Sequence, residues 1–335
     1  MFITPRPPVF NVLCRRMTLR FGIEQMQPSF LISEARSVLA SGKAVDASAL
    51  NVDVAGQVKH LADLGFRLIE LNPDLTIFFP RCYDLPAVER LRAIKAERQL
   101  EYTVHLPLWS LEPSSPVQMV REGAVDTLVD AVLRLTPLEP EVYVVHATGA
   151  LAAEFMHMQA LEGVRPLVMG LFLTQAQRSI AQLLERTGLP SRRLAIETIE
   201  FPFDLTQRLA ETLDLSMCLD TGHVLAGYTT GVSLAEALER ALPRLAEVHL
   251  HDGYRRELPE GRVQIADHLA LGLGDLPLQA FLEQLSVAGF SGPIIFELTV
   301  EQAQASLQAI RAVRPSLAYS HWLGQSFSSS RCSRR

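Results

Sequence analysis

The stretch C-L-D-T-G-H-V-L-A-G-Y, residues 218–228, decides how this chain reads. Residues 216–220 have the pattern of a buried strand, and that strand ends on Asp220, with His223 three residues later. At the carboxyl end of a strand, such a pair can grip one side of a metal ion. A carboxylate oxygen and an imidazole nitrogen suit Zn, Mn or Fe. One pair alone is a weak signal. Its weight comes from the other apolar runs, which finish in the same way.

Those runs fall at 20–23, 67–71, 102–106, 142–146, 194–197, 216–220, 247–251 and 293–297. Amphipathic stretches lie between them, at 85–99, 117–135, 173–187, 234–245, 276–288 and 302–313. Strands that alternate with helices imply parallel pairing through right-handed crossovers. Eight such units in about 300 residues fit a closed (β/α)8 TIM barrel, an α/β fold in a single domain. A doubly wound open sheet is the alternative, but no G-x-G-x-x-G follows the first run to support its nucleotide-binding form. The barrel is expected over 20–315. Residues 1–19 form an N-terminal extension expected to be flexible, and residues 316–335 form a tail, Ser/Arg-rich over 326–335.

The bulk properties narrow the function classes. Of 335 residues, 48% are hydrophobic and 20% charged, as in a soluble enzyme with a large core. The formal net charge of -6 does not draw in nucleic acid. Four scattered cysteines (Cys14, Cys82, Cys218, Cys332) form no C-x-x-C, which suits a reducing compartment and a cytoplasmic protein. Prolines break up the first residues, so no signal peptide is read, and Met17 could be the natural start. No apolar run is long enough for a membrane span.

Six of the nine histidines sit at candidate strand ends or just beyond: His105, His146, His223, His249, His251 and His268. Glu197, Asp220 and Glu297 join them. A barrel makes its strand ends converge on one axis, where clustered carboxylates are costly without a cation. Metal ligands are therefore expected at His105, His146, Glu197, Asp220, His223, His249, His268 and Glu297, with Glu197, Glu297 and Asp220 as the catalytic carboxylates. His249 and His251 share a face of their strand, and His249 lies deeper. Asp267, His251 and Asp252 are further candidates, as ligands or as supports of ligands; a solvated loop position is the other reading of His251. Glu197, Asp220, His249 and Glu297 would satisfy one ion. The additional imidazoles suit two or three Zn ions, with Mn or Fe as substitutes. Clustered ions favour hydrolysis of a phosphate diester.

Substrate contacts are expected from Glu70, Asn72 and Trp109, and from Met156 and Met158 in the long apolar connection 147–174. Met-rich surfaces adapt to bulky ligands, though an extra helix packed on the barrel reads equally well. Arg121 reads as a helix-surface residue or a phosphate contact. No Ser-His-Asp arrangement is visible, and Cys218 lies within an apolar run, so covalent nucleophilic catalysis is not expected.

The segment 218–228 resembles the zinc-binding signature of endonuclease IV-type apurinic endonucleases, within the xylose isomerase-like barrel superfamily that also holds sugar isomerases and epimerases. The resemblance spans about residues 20–313 and implies a divalent metal centre. By it, His105 and His146 match the two early zinc histidines, and Glu197 matches the bridging carboxylate. Asp220 and His223 match the signature pair, His249 the later histidine, and Glu297 the last glutamate. The family's Asp-x-His stands here as Asp267-His268 without a spacer; His268 aligns through L-G-L-G at 271–274, which puts Asp267 one residue out of register. The phrases Y-T-V-H-L-P-L (102–108), P-L-E-P-E-V-Y-V-V-H (137–146) and V-H-L-H-D-G (248–253) are similar to the cobamide-remodelling phosphodiesterases. That similarity implies hydrolysis of the nucleotide-loop phosphodiester of a B12-type cofactor. The alternatives are a one-metal sugar isomerase or epimerase with Glu197 and Glu297 as the proton-transfer pair, an endonuclease IV-like enzyme, and a non-catalytic barrel.

Overall fold

The computed structural model describes residues 19–30, 32 and 52–315. The tail, Met17, Cys14, Cys332 and nearly all of the N-terminal extension lie outside the described residues.

Eight parallel strands close into a ring. They are β1 (Arg20–Glu24), β2 (Leu68–Leu71), β3 (Glu101–His105), β4 (Tyr143–Val145), β5 (Leu194–Glu197), β6 (Ser216–Asp220), β7 (Leu245–His249) and β10 (Pro293–Phe296). Their order around the ring is β1-β10-β7-β6-β5-β4-β3-β2, and β1 pairs with both β2 and β10. This is the expected (β/α)8 barrel. Its strands are short apolar runs buried on both faces, as parallel strands wrapped in helices must be. Outside the ring lie α1 (Val54–Asp63), α2 (Leu85–Arg98), α3 (Gln118–Leu135), α4 (Ala150–His157), α5 (Arg165–Thr187), α6 (Phe203–Thr212), α7 (Thr221–Ala226), α8 (Leu234–Ala241), α9 (Leu278–Val287) and α10 (Val300–Val313).

Of the two readings of the connection 147–174, the extra helix packed on the barrel is the one found, and one further feature departs from the sequence reading. The connection 147–174 is largely helical, made of α4, a short 3-10 turn and the start of α5. Met156, Met169 and Phe172 are buried in the core, and the Phe155 and Phe172 rings meet at 5.7 Å. The departure is an antiparallel hairpin, β8 (Asp252–Glu257) with β9 (Val263–Leu269), standing outside the barrel after β7. Its residues are largely polar and exposed, so its sequence carries no buried-strand pattern.

Parallel registry places the strand ends side by side. Asp220 pairs with His249, Ile295 with His249, and Glu24 with Glu70. Residues in register on neighbouring strands point to the same side of the sheet. The polar ends of the strands thus meet inside the carboxyl mouth.

Candidate metal centre

Glu197, the last residue of β5, sits at the middle of the mouth and is buried. Its Oε2 faces His105 Nε2 at 3.0 Å and His146 Nε2 at 2.9 Å. Its Oε1 faces His249 Nδ1 and His223 Nδ1, each at 3.4 Å. One carboxylate is therefore shared between two sets of imidazoles.

The tautomers follow from the partners. His105 Nδ1 lies 3.0 Å from the Leu106 carbonyl, which only accepts, so Nδ1 carries the proton and Nε2 presents a lone pair to Glu197. Two lone pairs at 3.0 Å repel unless a proton or a cation lies between them. Burial by itself would lower the pKa of His105, but the hydrogen bond to Glu197 and the neighbouring carboxylates outweigh it and push it up to about 10. His223 likewise gives its Nδ1 proton to the Thr198 carbonyl at 3.1 Å, which leaves Nε2 free. Burial opposes its charge too, yet Asp220 and Glu197 raise its pKa to about 9. Glu197 is held well below the usual carboxylate range: burial works against this, but His146 and His249 prevail.

His249 is fully buried, and neither ring nitrogen has a hydrogen-bond partner. Its Nδ1 stands 3.4 Å from Glu197 Oε1, 3.4 Å from Glu297 Oε2 and 3.8 Å from Asp220 Oδ2. These gaps are long for hydrogen bonds. They match the roughly 3.4 Å between two ligands that each sit about 2.1 Å from one tetrahedral ion. Five donor groups emerge, each with ligand atoms within 4.8 Å of one another: His105, His146 and Glu197; Glu197, Asp220, His249 and Glu297; His223, Asp267 and His268; His251, His268 and Glu297; and Glu70, Glu247 and His249. Nitrogen and oxygen donors of this kind fit Zn, Mn or Fe.

The third group depends on a β-bulge. In a regular strand, adjacent side chains point to opposite faces, so Asp267 and His268 could not both reach the mouth. Here Asp252 pairs with Leu269 and Tyr254 with Ala266, so Asp267 and His268 together oppose the single residue Gly253. His268 takes a left-handed backbone, φ 50°, which re-aims its ring. Its ring stacks on His251 at 4.1 Å, and its Nε2 comes 3.4 Å from Glu297 Oε2. The missing spacer is thereby made good.

His251 and Asp252 are placed differently. His251 is buried, not a solvated loop residue. Its Nδ1 accepts the His268 backbone N–H at 3.0 Å, so Nε2 bears the proton and donates to Asp220 Oδ2 at 2.8 Å. Both nitrogens are thus engaged, and His251 braces Asp220. Gly222 makes room for it: a Cβ there would stand 2.1 Å from His251 Nδ1. Asp252 points away from the mouth and accepts the backbone N–H groups of Gly253, Gly272 and Leu276 at 2.8–2.9 Å, tying the hairpin to the next loop.

A sequence model of the xylose isomerase-like TIM barrel, the second apurinic-endonuclease family, matches residues 58–316. The chain belongs to that family. No curated protein matches it in sequence. Among solved structures, a D-tagatose 3-epimerase-like protein superposes with a TM-score of 0.63 at 18% identity, covering 89% of this chain and 98% of that one. A 3-keto-D-glucoside 4-epimerase from E. coli follows at 0.60 and 16%, covering 89% and 99%. Endonuclease IV from Thermus thermophilus superposes at 0.55 and 19%, covering 88% and 99%. At these identities the likeness is one of fold. The family embraces epimerases, isomerases and endonuclease IV, and its members use divalent metals.

The remaining sequence candidates of this xylose isomerase-like barrel separate clearly. The metal lobe of the mouth, about 460 Å³, is lined by Asn72, Trp109, His105, His146, His223 and His268. A second lobe of about 450 Å³ adjoins it across Leu108, Trp109, His146 and His223. Asn72 Nδ2 donates to Glu24 Oε1 at 2.6 Å. Asp74 accepts the backbone N–H groups of Leu108 and Trp109 and so fixes the Trp109 loop. Met156 is a core residue and half-buried Met158 lines neither lobe; α4 contributes Ala150 and Ala153 instead. Arg121 ties its own helix start to the Ser115 carbonyl, away from the mouth. Glu70 is buried beneath the centre, 3.5 Å from His249 Nε2.

Two carboxylates escaped the sequence reading. Glu24 ends β1 as the others end their strands, one residue past the apolar run 20–23. Burial, and then Glu297, push its pKa up to about 8. Glu247 lies two residues before His249 on the same face, fully buried and without a hydrogen-bond partner. A lone acid inside an apolar strand was the signal that could have found it.

Proposed function

We propose that this protein is a metal-dependent phosphodiester hydrolase working with two or three divalent ions, Zn above all. The observation that carries the reading is Glu197, whose two oxygens face two different sets of imidazoles. An arrangement for one ion has no use for such a bridge. Ions held there supply the positive charge that phosphate oxygens and an attacking water need at neutral pH. Glu197 spans the first two donor groups, and Asp220, His249 and Glu297 complete the central one. His223, Asp267 and His268 form the outer one. Glu297 reaches the metal lobe and can hold a water by hydrogen bond. The substrate we propose is a small or medium-sized phosphodiester, with the nucleotide-loop diester of a cobamide as the specific assignment, drawn from the phrases at 102–108, 137–146 and 248–253. Among the described residues no Lys or Arg lines either lobe, which fits a small ligand better than a nucleic-acid strand.

The second reading, a sugar isomerase or epimerase, has the completeness of the central group in its favour, since four donors suffice for one ion. It requires Glu197 to offer a free oxygen to a substrate C–H, yet each of its oxygens already faces two imidazole nitrogens. Elemental analysis of the purified protein, with a turnover screen of B12-type cofactors, simple phosphodiesters, abasic DNA and ketoses, separates the two. Two or three ions per chain with diester hydrolysis is the expected result. One ion with ketose epimerisation and no hydrolysis would end the hydrolase reading.

A further inference from the structure

Beneath the metal centre the barrel interior carries side chains that the reaction does not use. Glu70 on β2, Thr103 on β3 and Glu247 on β7 are each fully buried, and none of their side-chain oxygens has a hydrogen-bond partner. His249 stands between this floor and the mouth. Its Nδ1 faces Glu197, Asp220 and Glu297, and its Nε2 faces Glu70 Oε1 at 3.5 Å.

We propose that Glu70 is the positioning residue that makes His249 a ligand through Nδ1. The inference rests on the metal reading of the centre and not on the reaction it performs. When Nδ1 gives its lone pair to an ion, the ring proton must reside on Nε2. A fully buried N–H without an acceptor is costly. The carboxylate that faces Nε2 is Glu70, with Glu247 in the same cluster. The carboxylate thus selects the tautomer, fixes the ring plane and makes Nδ1 a stronger donor, as a carboxylate behind a metal-bound imidazole does. Glu70 has no other partner to satisfy, which a substrate-binding residue at the mouth would not require. Its complete burial also removes it from contact with substrate, where the sequence reading had placed it.

The test is metal affinity, read by chelator competition with Zn on the full chain and on Glu70→Ala and Glu70→Gln. Glu70→Ala is expected to weaken the central site by about 10–100-fold. Glu70→Gln retains an oxygen that accepts the N–H, and is expected to recover part of that loss. Nitrogen-15 spectra of the Zn-loaded, histidine-labelled protein should show His249 protonated at Nε2 and ligated at Nδ1, a signature that mere core filling does not set. Unchanged affinity in the Gln variant and in the Ala variant, or a proton found on His249 Nδ1, overturns the proposal. Should the Ala variant not fold, the Gln variant and the tautomer still decide. A wild-type protein that takes up no ion overturns the metal reading itself, whereas an ion bound equally well by every variant overturns this inference alone.

Discussion

The two ends of the barrel balance their charges in opposite ways. At the amino ends of the strands, acids are met by guanidinium groups of the same chain. Arg20 holds Glu101 at 2.9 Å and Glu141 at 2.6 Å, and Arg192 and Arg244 share Asp214 at 3.0 Å each. At the carboxyl ends, Glu197, Asp220, Asp267 and Glu297 are met by imidazoles, and no described Lys or Arg lines the mouth. Arginine stays charged at every pH a protein tolerates, so the amino end is permanently neutralised. Imidazole can exchange its proton for an ion. The difference marks one end as scaffold and the other as a place where charge is left for a guest.

The largest way to break that contrast is Glu197→Ala. Without the bridge the first two donor groups lose their common member, and diester turnover is expected to fall by more than about 10³-fold, beyond the usual loss of one electrostatic donor. Metal content measured alongside should drop. Next comes the pair His105→Ala and His146→Ala, expected to remove one ion per chain and about 10²–10³-fold of turnover while the central group keeps its ion. An unchanged ion count in both would remove the first group from the centre. Gly222→Ala drives a methyl against His251 and frees Asp220 from its brace. It should cost about 1–3 kcal/mol of stability in urea melts and about 10-fold or more in Zn affinity.

A pH series sharpens the same comparison. In the metal-free protein, His105, His223 and His268 have pKa values raised to about 10, about 9 and about 11, and Glu24 to about 8. Raised values contribute stability below the ordinary pKa and lose it as pH climbs through the folded one. The metal-free Tm should therefore fall between about pH 6.5 and 10. Glu197, Asp220 and Glu297 are shifted the other way, burial being overcome by the imidazoles around them, and their contribution fades in acid. Added Zn takes the place of ring protons, so the rise in Tm that it brings should grow over the same alkaline range. A metal-free Tm that is flat from pH 6.5 upward would contradict this. The smallest effect belongs to the other end. Arg20→Ala should cost about 1–2 kcal/mol of stability and leave Zn affinity untouched.

Much of this was legible because barrel geometry converts a one-dimensional habit into a three-dimensional site. A run of apolar residues ending on His, Glu or Asp is visible in sequence, and closure of the ring brings the ends of β3, β4, β5, β6, β7 and β10 together. What escaped depended on backbone detail or on burial. Asp267 looked one residue out of place because a bulge has no sequence period. The polar hairpin resembled a loop because its faces meet water. Met156 was read as a ligand contact because apolar residues on a helix look alike whether they line a cavity or fill a core. Glu247 was overlooked because its neighbours at 249 and 251 drew the chemistry to themselves.

The hairpin has one more consequence. Asp267 and His268 ride on a ribbon that no barrel strand pairs with, whereas the first two donor groups are anchored in the ring itself. On the multi-ion reading proposed above, ion number would then be a property of an accessory part. On that reading, trimming the ribbon would leave a two-ion machine on an intact chassis, and grafting it would be a route by which a simpler relative gains an ion.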